Sequence, residues 1–293
     1  MNAVTAIIPA LPVPSFASNF TQVLDVGPPK SFLLYGDTGT RKTTMVGELV
    51  ASGRFKHALV FDIDNGTEAF ASDPAIMAAV HDGRITISPI DSALDPEAFQ
   101  KIDAQILEVC GAYRDHLGVI NPNPNIPDFG YDLVLLDTVN LAQTVAIKHF
   151  QATTFNTKGQ PDTLAAWGKV GIWTDEIARL LHNTKRFTGA MVMHPMTVED
   201  KAGGIKIKPK LGGGMKDTMS TIPSLVAYLA FEKHPDTGVE SLVATLGEST
   251  LYDSKNRYRL PSKMYDFNLT NLYKQIDALY APKVSTAPAA VAA

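Results

Sequence analysis

One glycine-containing segment has the residue types and the spacing needed to hold phosphate groups. The stretch SFLLYGDTGTRKTT is an apolar run, then a glycine loop, then Lys-Thr-Thr at the predicted start of a helix. Backbone N–H groups of such a loop and the positive end of the helix dipole together bind phosphate. Lys42 can reach the β- and γ-phosphates of ATP, and the Thr43 hydroxyl can ligate Mg²⁺. We expect nine residues to contact the nucleotide: Gly36, Asp37, Thr38, Gly39, Thr40, Arg41, Lys42, Thr43 and Thr44.

Arg41 stands where the usual phosphate-loop pattern has a glycine just before the lysine. Its Cβ could crowd the phosphates, or its guanidinium could add a phosphate contact. An ordinary β–turn–α connection that binds no nucleotide is the alternative interpretation of the whole segment.

Carboxylates follow two other apolar runs. YDLVLLDT ends in Asp137, which we expect to orient a metal-bound water, so that Thr43 and Asp137 are the two predicted metal contacts. The stretch ALVFDIDNGTE supplies Asp62, Asp64 and Glu68. Asp62 is equally well explained as a carboxylate that stabilises a turn at the strand end, and Glu68 is a fallback general base.

His194 ends a third apolar run, GAMVMHP. A polar residue at the end of a strand beside the phosphate loop can sense the γ-phosphate and pass its state to the next loop. The alternative is a histidine that only caps the end of its strand.

The segment that follows, TVEDKAGGIKIKPKLGGGMKD, is rich in lysine and glycine. Ala202-Gly203-Gly204 separates two alternating runs, which predicts a β-hairpin. Lysines on such a hairpin form the electrostatic footprint of binding to the phosphate backbone of a nucleic acid. A solvated surface hairpin explains the charges as simply, and no aromatic residue is interleaved for base stacking. The predicted DNA-binding residues are Lys201, Lys206, Lys208, Lys210 and Lys216.

Lys255 and Arg257 alternate in the stretch YDSKNRYRL near the C-terminus. If this stretch is a strand, both cations point to one side. They could then enter the active site of a neighbouring subunit and neutralise charge that develops in phosphoryl transfer. An exposed strand face is the alternative.

The apolar runs also predict the elements that position these side chains. Short apolar runs alternate with helical patterns, which is typical of an α/β fold with a mostly parallel central sheet flanked by helices. The predicted strands are Ser31–Tyr35, Ala58–Ile63, Arg84–Ser88, Asp132–Asp137, Ala190–His194, Ser224–Phe231 and Leu242–Leu246. The predicted helices are Lys42–Ser52, Pro96–His116 and Leu164–Asn183.

Composition limits the class of protein and its surroundings. The chain has 293 residues, of which 45% are hydrophobic, and its formal charge of −4 excludes a global basic field. One cysteine excludes an internal disulfide and suits a reducing compartment. No apolar run approaches the ~20 residues that span a bilayer, so we expect a cytoplasmic protein with no membrane partner. We predict an N-terminal arm at 1–27, one domain at 28–280 and a disordered tail at 281–293.

These motifs in this order resemble the RecA-like ATPases, in particular the small phage-encoded recombination ATPases of the single-strand-annealing (Sak) group. The resemblance covers about Lys30–Pro261 and is carried by GDTGTRKTT, FDIDNG, YDLVLLDT, VMHP, PKLGGG and SKNR. No glutamate follows Asp137, so the Asp-Glu pair that AAA+ proteins have at this strand end is absent. The resemblance implies a RecA-like P-loop NTPase core with a β-hairpin insertion.

The resemblance also implies individual roles. Asp64 occupies the position of the family's water-activating glutamate, His194 would be the sensor, and Lys255 with Arg257 would act in trans. The catalytic residues implied in this way are Lys42, Asp64, Asp137, His194, Lys255 and Arg257. Arg41 and the shorter Asp64 depart from the family pattern, and we expect slow or DNA-stimulated turnover.

The implied function is Mg²⁺-dependent ATP hydrolysis on single-stranded DNA during recombination, annealing or replication. The family forms rings or filaments with active sites between subunits, so a homo-oligomer is expected, and a single-stranded-DNA-binding protein is a candidate partner. Two alternatives stay open: a nucleotide-gated adaptor that does not hydrolyse ATP, and a small-molecule kinase in which the hairpin would be a lid.

Overall fold

The computed structural model describes residues 29–280 apart from 94 and 200–202. The predicted arm at 1–27, the predicted tail at 281–293 and Lys201 lie outside the described residues. The strands are β1 (Ser31–Gly36), β2 (Ala58–Asp62), β3 (Ile85–Pro89), β4 (Ala112–Arg114), β5 (Ile120–Pro122), β6 (Leu133–Asp137), β7 (Thr188–Met193), β8 (Pro195–Glu199), β9 (Ile205–Pro209), β10 (Leu225–Lys233), β11 (Glu240–Thr245), β12 (Lys255–Asn256) and β13 (Lys263–Met264). The helices are α1 (Lys42–Ala51), α2 (Pro74–His81), α3 (Ala98–Val109), α4 (Val139–Thr153), α5 (Thr163–Asn183), α6 (Met215–Thr218) and α7 (Leu269–Tyr280), with 3₁₀ turns at Gly66–Ser72 and Met219–Thr221.

The central sheet is parallel in its middle and antiparallel at one edge. Its strands follow the order β13-β11-β10-β1-β7-β6-β2-β3, and β12 pairs with the start of β10. All neighbours from β10 to β3 run parallel, whereas β11, β12 and β13 are antiparallel to their partners. The predicted α/β architecture with a mostly parallel sheet flanked by helices is therefore confirmed.

Alternating side chains of the buried strands feed two separate cores. On β1, Phe32 and Leu34 pack with α1, α2 and α7 on one face of the sheet. Leu33 and Tyr35 point to the other face and pack with α3, α4, α5 and α6. Because both faces are covered, the middle strands are apolar along their whole length, as in parallel sheets generally. None of the described helices is long and apolar enough to cross a membrane.

The predicted β-hairpin is present and is built from β8 and β9. These strands pair antiparallel from Pro195 with Pro209 to Glu199 with Ile205, as a small sheet of their own. Ile207 on β9 also forms a parallel bridge with Tyr252. The hairpin therefore lies against the segment that leads into β12.

One predicted helix is too long. The predicted helix Pro96–His116 is instead α3, which ends at Val109, followed by the short strand β4. Gly111 has a φ of 71°, a left-handed conformation that breaks the helix and turns the chain into β4. The helices α2, α4 and α7 were not predicted at all.

Candidate nucleotide site

The parallel register brings four predicted site segments to the same edge of the sheet. Asp62 at the end of β2 is paired with Asp137 at the end of β6, and Asp137 is paired with Val192 on β7. Tyr35, the residue before the glycine loop, is level with Met193, directly before His194. Carboxyl ends of parallel strands are the usual place for ligand sites in such sheets. A cavity of about 710 Å³ opens here, lined among others by Thr38, Lys42, Asp64, Asp137 and His194.

The phosphate loop is a tight turn between β1 and α1. Gly36 passes so close to β10 that a Cβ there would lie 2.2 Å from the carbonyl oxygen of Leu229. Gly39 has a φ of 87°, which glycine adopts without cost. The hydroxyl of buried Thr40 donates to the carbonyl of Asp37 at 2.7 Å and closes the loop. These contacts hold the loop backbone in a tight turn.

Lys42 is folded back onto its own loop. Its Nζ donates to the carbonyls of Gly36 at 2.7 Å and Asp37 at 2.8 Å, and to Thr40 Oγ1 at 3.1 Å. Burial lowers the pKa of Lys42 to about 8, although Asp137 nearby acts in the opposite direction. A phosphate group would raise the pKa of Lys42 again, because an opposite charge favours the protonated form.

Arg41 does adopt the conformation that explains the usual glycine at this position. Its φ is 58° and its ψ is 24°, the left-handed region, which costs a residue with a Cβ roughly 1–2 kcal/mol. Its guanidinium forms an ion pair with Glu48 on α1. The guanidinium is therefore directed toward α1, and it would have to leave Glu48 to contact a phosphate.

Thr43 and Asp137 form the pair expected at a metal. Thr43 Oγ1 donates to Asp137 Oδ2 at 2.6 Å, and Asp137 is almost completely buried. Burial raises the pKa of Asp137 to about 6, the hydrogen bond from Thr43 opposes this, and the charges of Asp62 and Asp64 add to it. A divalent cation at this place would remove the cost of ionising Asp137.

The donor set fits Mg²⁺ bound together with phosphate. Within 29–280, gaps aside, no group of three or more His, Cys, Asp or Glu side chains is placed to hold a metal ion by itself. Mg²⁺ in nucleotide sites is characteristically held by one or two protein oxygens plus phosphates and waters. Thr43 and Asp137 can supply the protein oxygens.

Of the acidic residues at the end of β2 and just beyond it, Asp64 lines the cavity, whereas Asp62 bonds to the turn that follows. Asp62 accepts hydrogen bonds from the backbone N–H groups of Gly66 at 2.9 Å and Thr67 at 3.3 Å, so it stabilises the turn. Asp64 lines the cavity, whereas Glu68 is exposed on the 3₁₀ turn. Asp64 is therefore the carboxylate of this pair that faces the cavity.

His194 contacts Asp64 across the cavity. The distance from His194 Nε2 to Asp64 Oδ2 is 3.3 Å, and both side chains are about one third exposed. The backbone N–H of His194 donates to Asn140 Oδ1 at 2.8 Å. The histidine therefore lies between a candidate catalytic carboxylate and the first turn of α4.

The predicted basic face of the hairpin is partly neutralised. Lys206 Nζ is 2.7 Å from Asp253 Oδ1, and Lys208 Nζ is 2.8 Å from Asp217 Oδ1. Lys210 is exposed just beyond β9, and Lys216 lies in α6. Two of the predicted DNA-binding lysines, Lys206 and Lys208, are thus paired with carboxylates that are distant in sequence, and their contact with DNA stays a prediction.

Lys255 and Arg257 lie at the opposite end of the sheet from the cavity. β12 holds only Lys255 and Asn256, paired with Val226 and Leu225 at the start of β10, so the prediction of one strand carrying both cations is wrong. Lys255 Nζ donates to the carbonyl of Thr221, and burial together with the charge of Arg257 lowers the pKa of Lys255 to about 8. Arg257 is exposed and lies near His182. Burial is the main reason that the pKa of His182 is lowered, and the charge of Arg257 lowers it further.

Sequence reasoning missed several residues that shape the site. Gly66 packs so tightly that a Cβ would come within 2.5 Å of Asp137 Oδ2 and 3.1 Å of Thr43 Oγ1. Asn140 contacts both ends of the hairpin, and Gln143 Oε1 accepts from the N–H of Gly212 at 2.6 Å. Polar residues in the first turns of the helix after Asp137 were the only signal in the sequence.

Comparison with solved structures gives distant likenesses. The RadB recombinase has 14% identity and a TM-score of 0.38, covering 81% of this chain and 86% of RadB. The flagellar accessory protein FlaH from Methanocaldococcus jannaschii has 10% identity and a TM-score of 0.39, covering 85% and 95% of the two chains. A type III secretion system ATPase from pathogenic bacteria has 11% identity and a TM-score of 0.37 over 68% of this chain, which spans only 52% of that ATPase. No curated protein sequence matches the chain.

Comparison with protein families gives a match over most of the chain. The sequence model of one family, described as an AAA domain, matches residues 29–258. This range begins two residues before β1 and ends two residues after β12, so it contains the phosphate loop, the hairpin and every strand of the central sheet except β13. The chain therefore belongs to the AAA domain family, with the predicted RecA-like P-loop NTPase core.

Proposed function

We propose that this protein hydrolyses ATP with Mg²⁺ and couples hydrolysis to single-stranded DNA in recombination, annealing or replication. The observation that carries the proposal is the meeting of Lys42, Thr43, Asp137, Asp64 and His194 around one cavity at the carboxyl edge of the sheet. Its volume falls within the range of small-molecule and cofactor sites. Fold and family support nucleotide binding, and the polar groups support hydrolysis.

Each side chain has a task that its geometry allows. Lys42 exchanges its three loop acceptors for phosphate oxygens, so the loop releases the ammonium only to a stronger, anionic partner. Asp64 orients the attacking water, and His194 reports on the γ-phosphate through its contact with Asp64. Mg²⁺ held by Thr43 and Asp137 would neutralise phosphate charge.

The hairpin is the proposed contact with single-stranded DNA. It starts directly after His194, so the sensor and the first residue of β8 are neighbours in the chain. DNA phosphates would compete with Asp253 and Asp217 for Lys206 and Lys208, whereas Lys210 is exposed. DNA binding would therefore have to replace two internal ion pairs, and each phosphate contact that forms would add to the salt dependence.

Replacing Lys206, Lys208 and Lys210 together by Ala tests this contact. Each lost phosphate contact on a single strand lowers the slope of log K against log salt by about 0.7, so the triple variant should lose up to about 2. Fluorescence anisotropy with a labelled oligonucleotide measures the slope. A charge-matched control replaces the exposed Lys56, Lys158 and Lys274, and an unchanged slope in the hairpin variant would exclude this surface.

Lys255 and Arg257 are proposed to act on a neighbouring subunit of a homo-oligomer, in a ring or a filament. Asn256, which lies between the two cations, is paired with Leu225 on β10, and Gly36 at the phosphate loop is level with Leu229 on the same strand. Leu225 and Leu229 are four residues apart, or about 13 Å at the rise of a strand. Neither cation therefore reaches the cavity of its own chain, which supports a role in trans.

The remaining parts of the proposal are a domain at 28–280, the likeness to phage Sak-group ATPases, a cytoplasmic location and a single-stranded-DNA-binding partner.

Phosphate release from ATP and Mg²⁺, with and without single-stranded DNA, tests the proposal directly. Stimulation by DNA that disappears in Lys42→Ala supports a DNA-dependent ATPase. ATP binding without turnover would favour a nucleotide-gated adaptor. Turnover that ignores DNA would instead point to a kinase or another acceptor.

A further inference from the structure

The base of the β8–β9 hairpin is closed by one side chain that belongs to neither strand. Asn140, in the first turn of α4, accepts a hydrogen bond from the backbone N–H of His194 at 2.8 Å through Oδ1. Its Nδ2 donates to the backbone carbonyl of Lys210. The two hairpin ends are also joined directly, because the N–H of Lys210 donates to the carbonyl of His194 at 2.8 Å. Asn140 thus completes the closure of the hairpin on both sides.

Only a carboxamide of this length satisfies both contacts. The N–H of His194 needs an acceptor and the carbonyl of Lys210 needs a donor, and Asn provides one of each. An aspartate keeps the acceptor but loses the donor and places a negative charge against a carbonyl. An alanine loses both. The residue type is therefore tied to the two bonds it makes.

Asn140 is also connected to the nucleotide cavity within three residues. Asp137 ends β6, Thr138 caps α4, and both line the cavity. On the other side, His194 reaches Asp64 with its ring and Asn140 with its backbone. A ligand that shifts the first turn of α4 therefore acts on both ends of the hairpin through this side chain.

Other contacts hold the neighbouring chain but do not replace this one. Gln143, one turn further along α4, accepts from the N–H of Gly212, beyond the hairpin. Tyr35 donates to the carbonyls of Asp253 at 2.7 Å and Ile207 at 3.3 Å, which fixes the middle of β9. Neither residue contacts His194 or Lys210 through these bonds.

We propose that Asn140 is a positioning residue that transmits the state of the nucleotide cavity to the β8–β9 hairpin. The coupling to nucleotide rests on the proposed function, whereas the closure of the hairpin does not. Asn140 itself touches no reacting group, and its effect passes through His194 and Lys210.

Hydrogen–deuterium exchange of the full chain tests both parts. The variants are Asn140→Ala and the nearly isosteric Asn140→Asp, and the matched control is Thr144→Ala. Thr144 lies one turn along α4, and its hydroxyl bonds only within the helix, to the carbonyl of Asn140. Slow exchange of the β1 and β6 amides in each variant shows that the core is intact, and Asn140→Asp serves if Asn140→Ala fails this check.

Without nucleotide, amides of β8 and β9 should exchange about tenfold faster in both Asn140 variants than in wild type. They should stay within about twofold in Thr144→Ala. Equal exchange in wild type and in an Asn140 variant with an intact core would overturn the proposed closure. This arm of the experiment needs no ligand and so does not depend on ATP binding.

With Mg²⁺ and a non-hydrolysable ATP analogue, wild-type hairpin exchange should change, while both Asn140 variants should bind with a Kd within about threefold and show no hairpin response. A hairpin response that persists in the Asn140 variants would overturn the coupling, and so would analogue binding to wild type without any response. Failure of wild type to bind the analogue would instead overturn the proposed nucleotide function and, with it, the coupling, leaving the closure to the first arm.

Discussion

Asp137→Asn should stabilise the protein in the absence of ligands while it weakens the binding of Mg²⁺ and ATP. The carboxyl of Asp137 is almost completely buried, and its pKa is raised from 3.8 to about 6. The difference between a pKa of 3.8 and a pKa of about 6, at 1.36 kcal/mol per pKa unit, means that the ionised carboxylate of Asp137 destabilises the folded protein by about 3 kcal/mol above pH 7. The amide carries no charge at any pH, and its oxygen can still accept from the Thr43 hydroxyl.

The sign of the pH dependence follows from the raised pKa. Below the unfolded value of 3.8 the wild-type carboxyl is neutral in both states and contributes its full stability. As the pH rises from about 4 through about 6, wild type loses stability relative to Asp137→Asn, and the difference stays constant above about pH 7. At that plateau the melting temperature of the variant should exceed wild type by about 6–12 °C, since a domain of this size gains about 2–4 °C per kcal/mol.

Thermal unfolding followed by circular dichroism, at several pH values without nucleotide or metal, measures this difference. A variant that is no more stable than wild type between pH 6.5 and pH 8 would refute the assignment of a buried, destabilising charge to Asp137. Mg²⁺ with ATP at 1,000 times its Kd should reverse the order, because such a ligand stabilises wild type by about 4.1 kcal/mol, which is more than the cost of about 3 kcal/mol for the charge. A variant that gains as much from Mg²⁺ and ATP would exclude Asp137 from the metal site.

Three further substitutions address the phosphate loop, the general base and the subunit contact. Arg41→Gly should raise the free energy of unfolding by up to about 1 kcal/mol, because glycine adopts the left-handed backbone without strain and only a surface ion pair is lost. Urea titration measures this free energy, and a decrease would show that the ion pair with Glu48 outweighs the strain. Asp64→Asn should lower kcat at least about 100-fold with little change in ATP binding, whereas Glu68→Gln should stay near wild type in the same phosphate-release assay; the reverse order would move the base to Glu68. Arg257→Ala should be inactive alone but regain turnover when mixed with Lys42→Ala, and absence of rescue would argue against action in trans.

The strand ends could be predicted from the sequence because their information is local. Each middle strand is a short apolar run that ends in a polar residue, and parallel strands place all such ends at one edge. Asp137 and His194 could therefore be predicted as site residues from the apolar run and the polar residue that ends it. The same reasoning predicted the hairpin, since Gly203 and Gly204 interrupt two alternating runs.

The partners of those residues could not be predicted, because they come from distant parts of the chain. Lys206 meets Asp253 and Lys208 meets Asp217, and no periodicity in the hairpin announces either carboxylate. The helix α4 escaped prediction since its buried positions include Ala142 and the polar Gln143, which weakens the apolar pattern. Asn140 is invisible for the same reason: its role depends on where two strand ends arrive, which only the folded chain defines.

The separation of Arg257 from the cavity affects how many complete active sites the proposed oligomer would contain. In the proposed assembly, since the two lie at opposite ends of the same sheet, each chain would offer one acceptor site and one donor arginine that face different neighbours. Such a head-to-tail contact either closes into a ring or continues without limit. A closed ring leaves every cavity supplied, whereas an open chain of any length always leaves one cavity without an arginine and one arginine without a cavity. The fraction of complete sites would then depend on how many chains have joined.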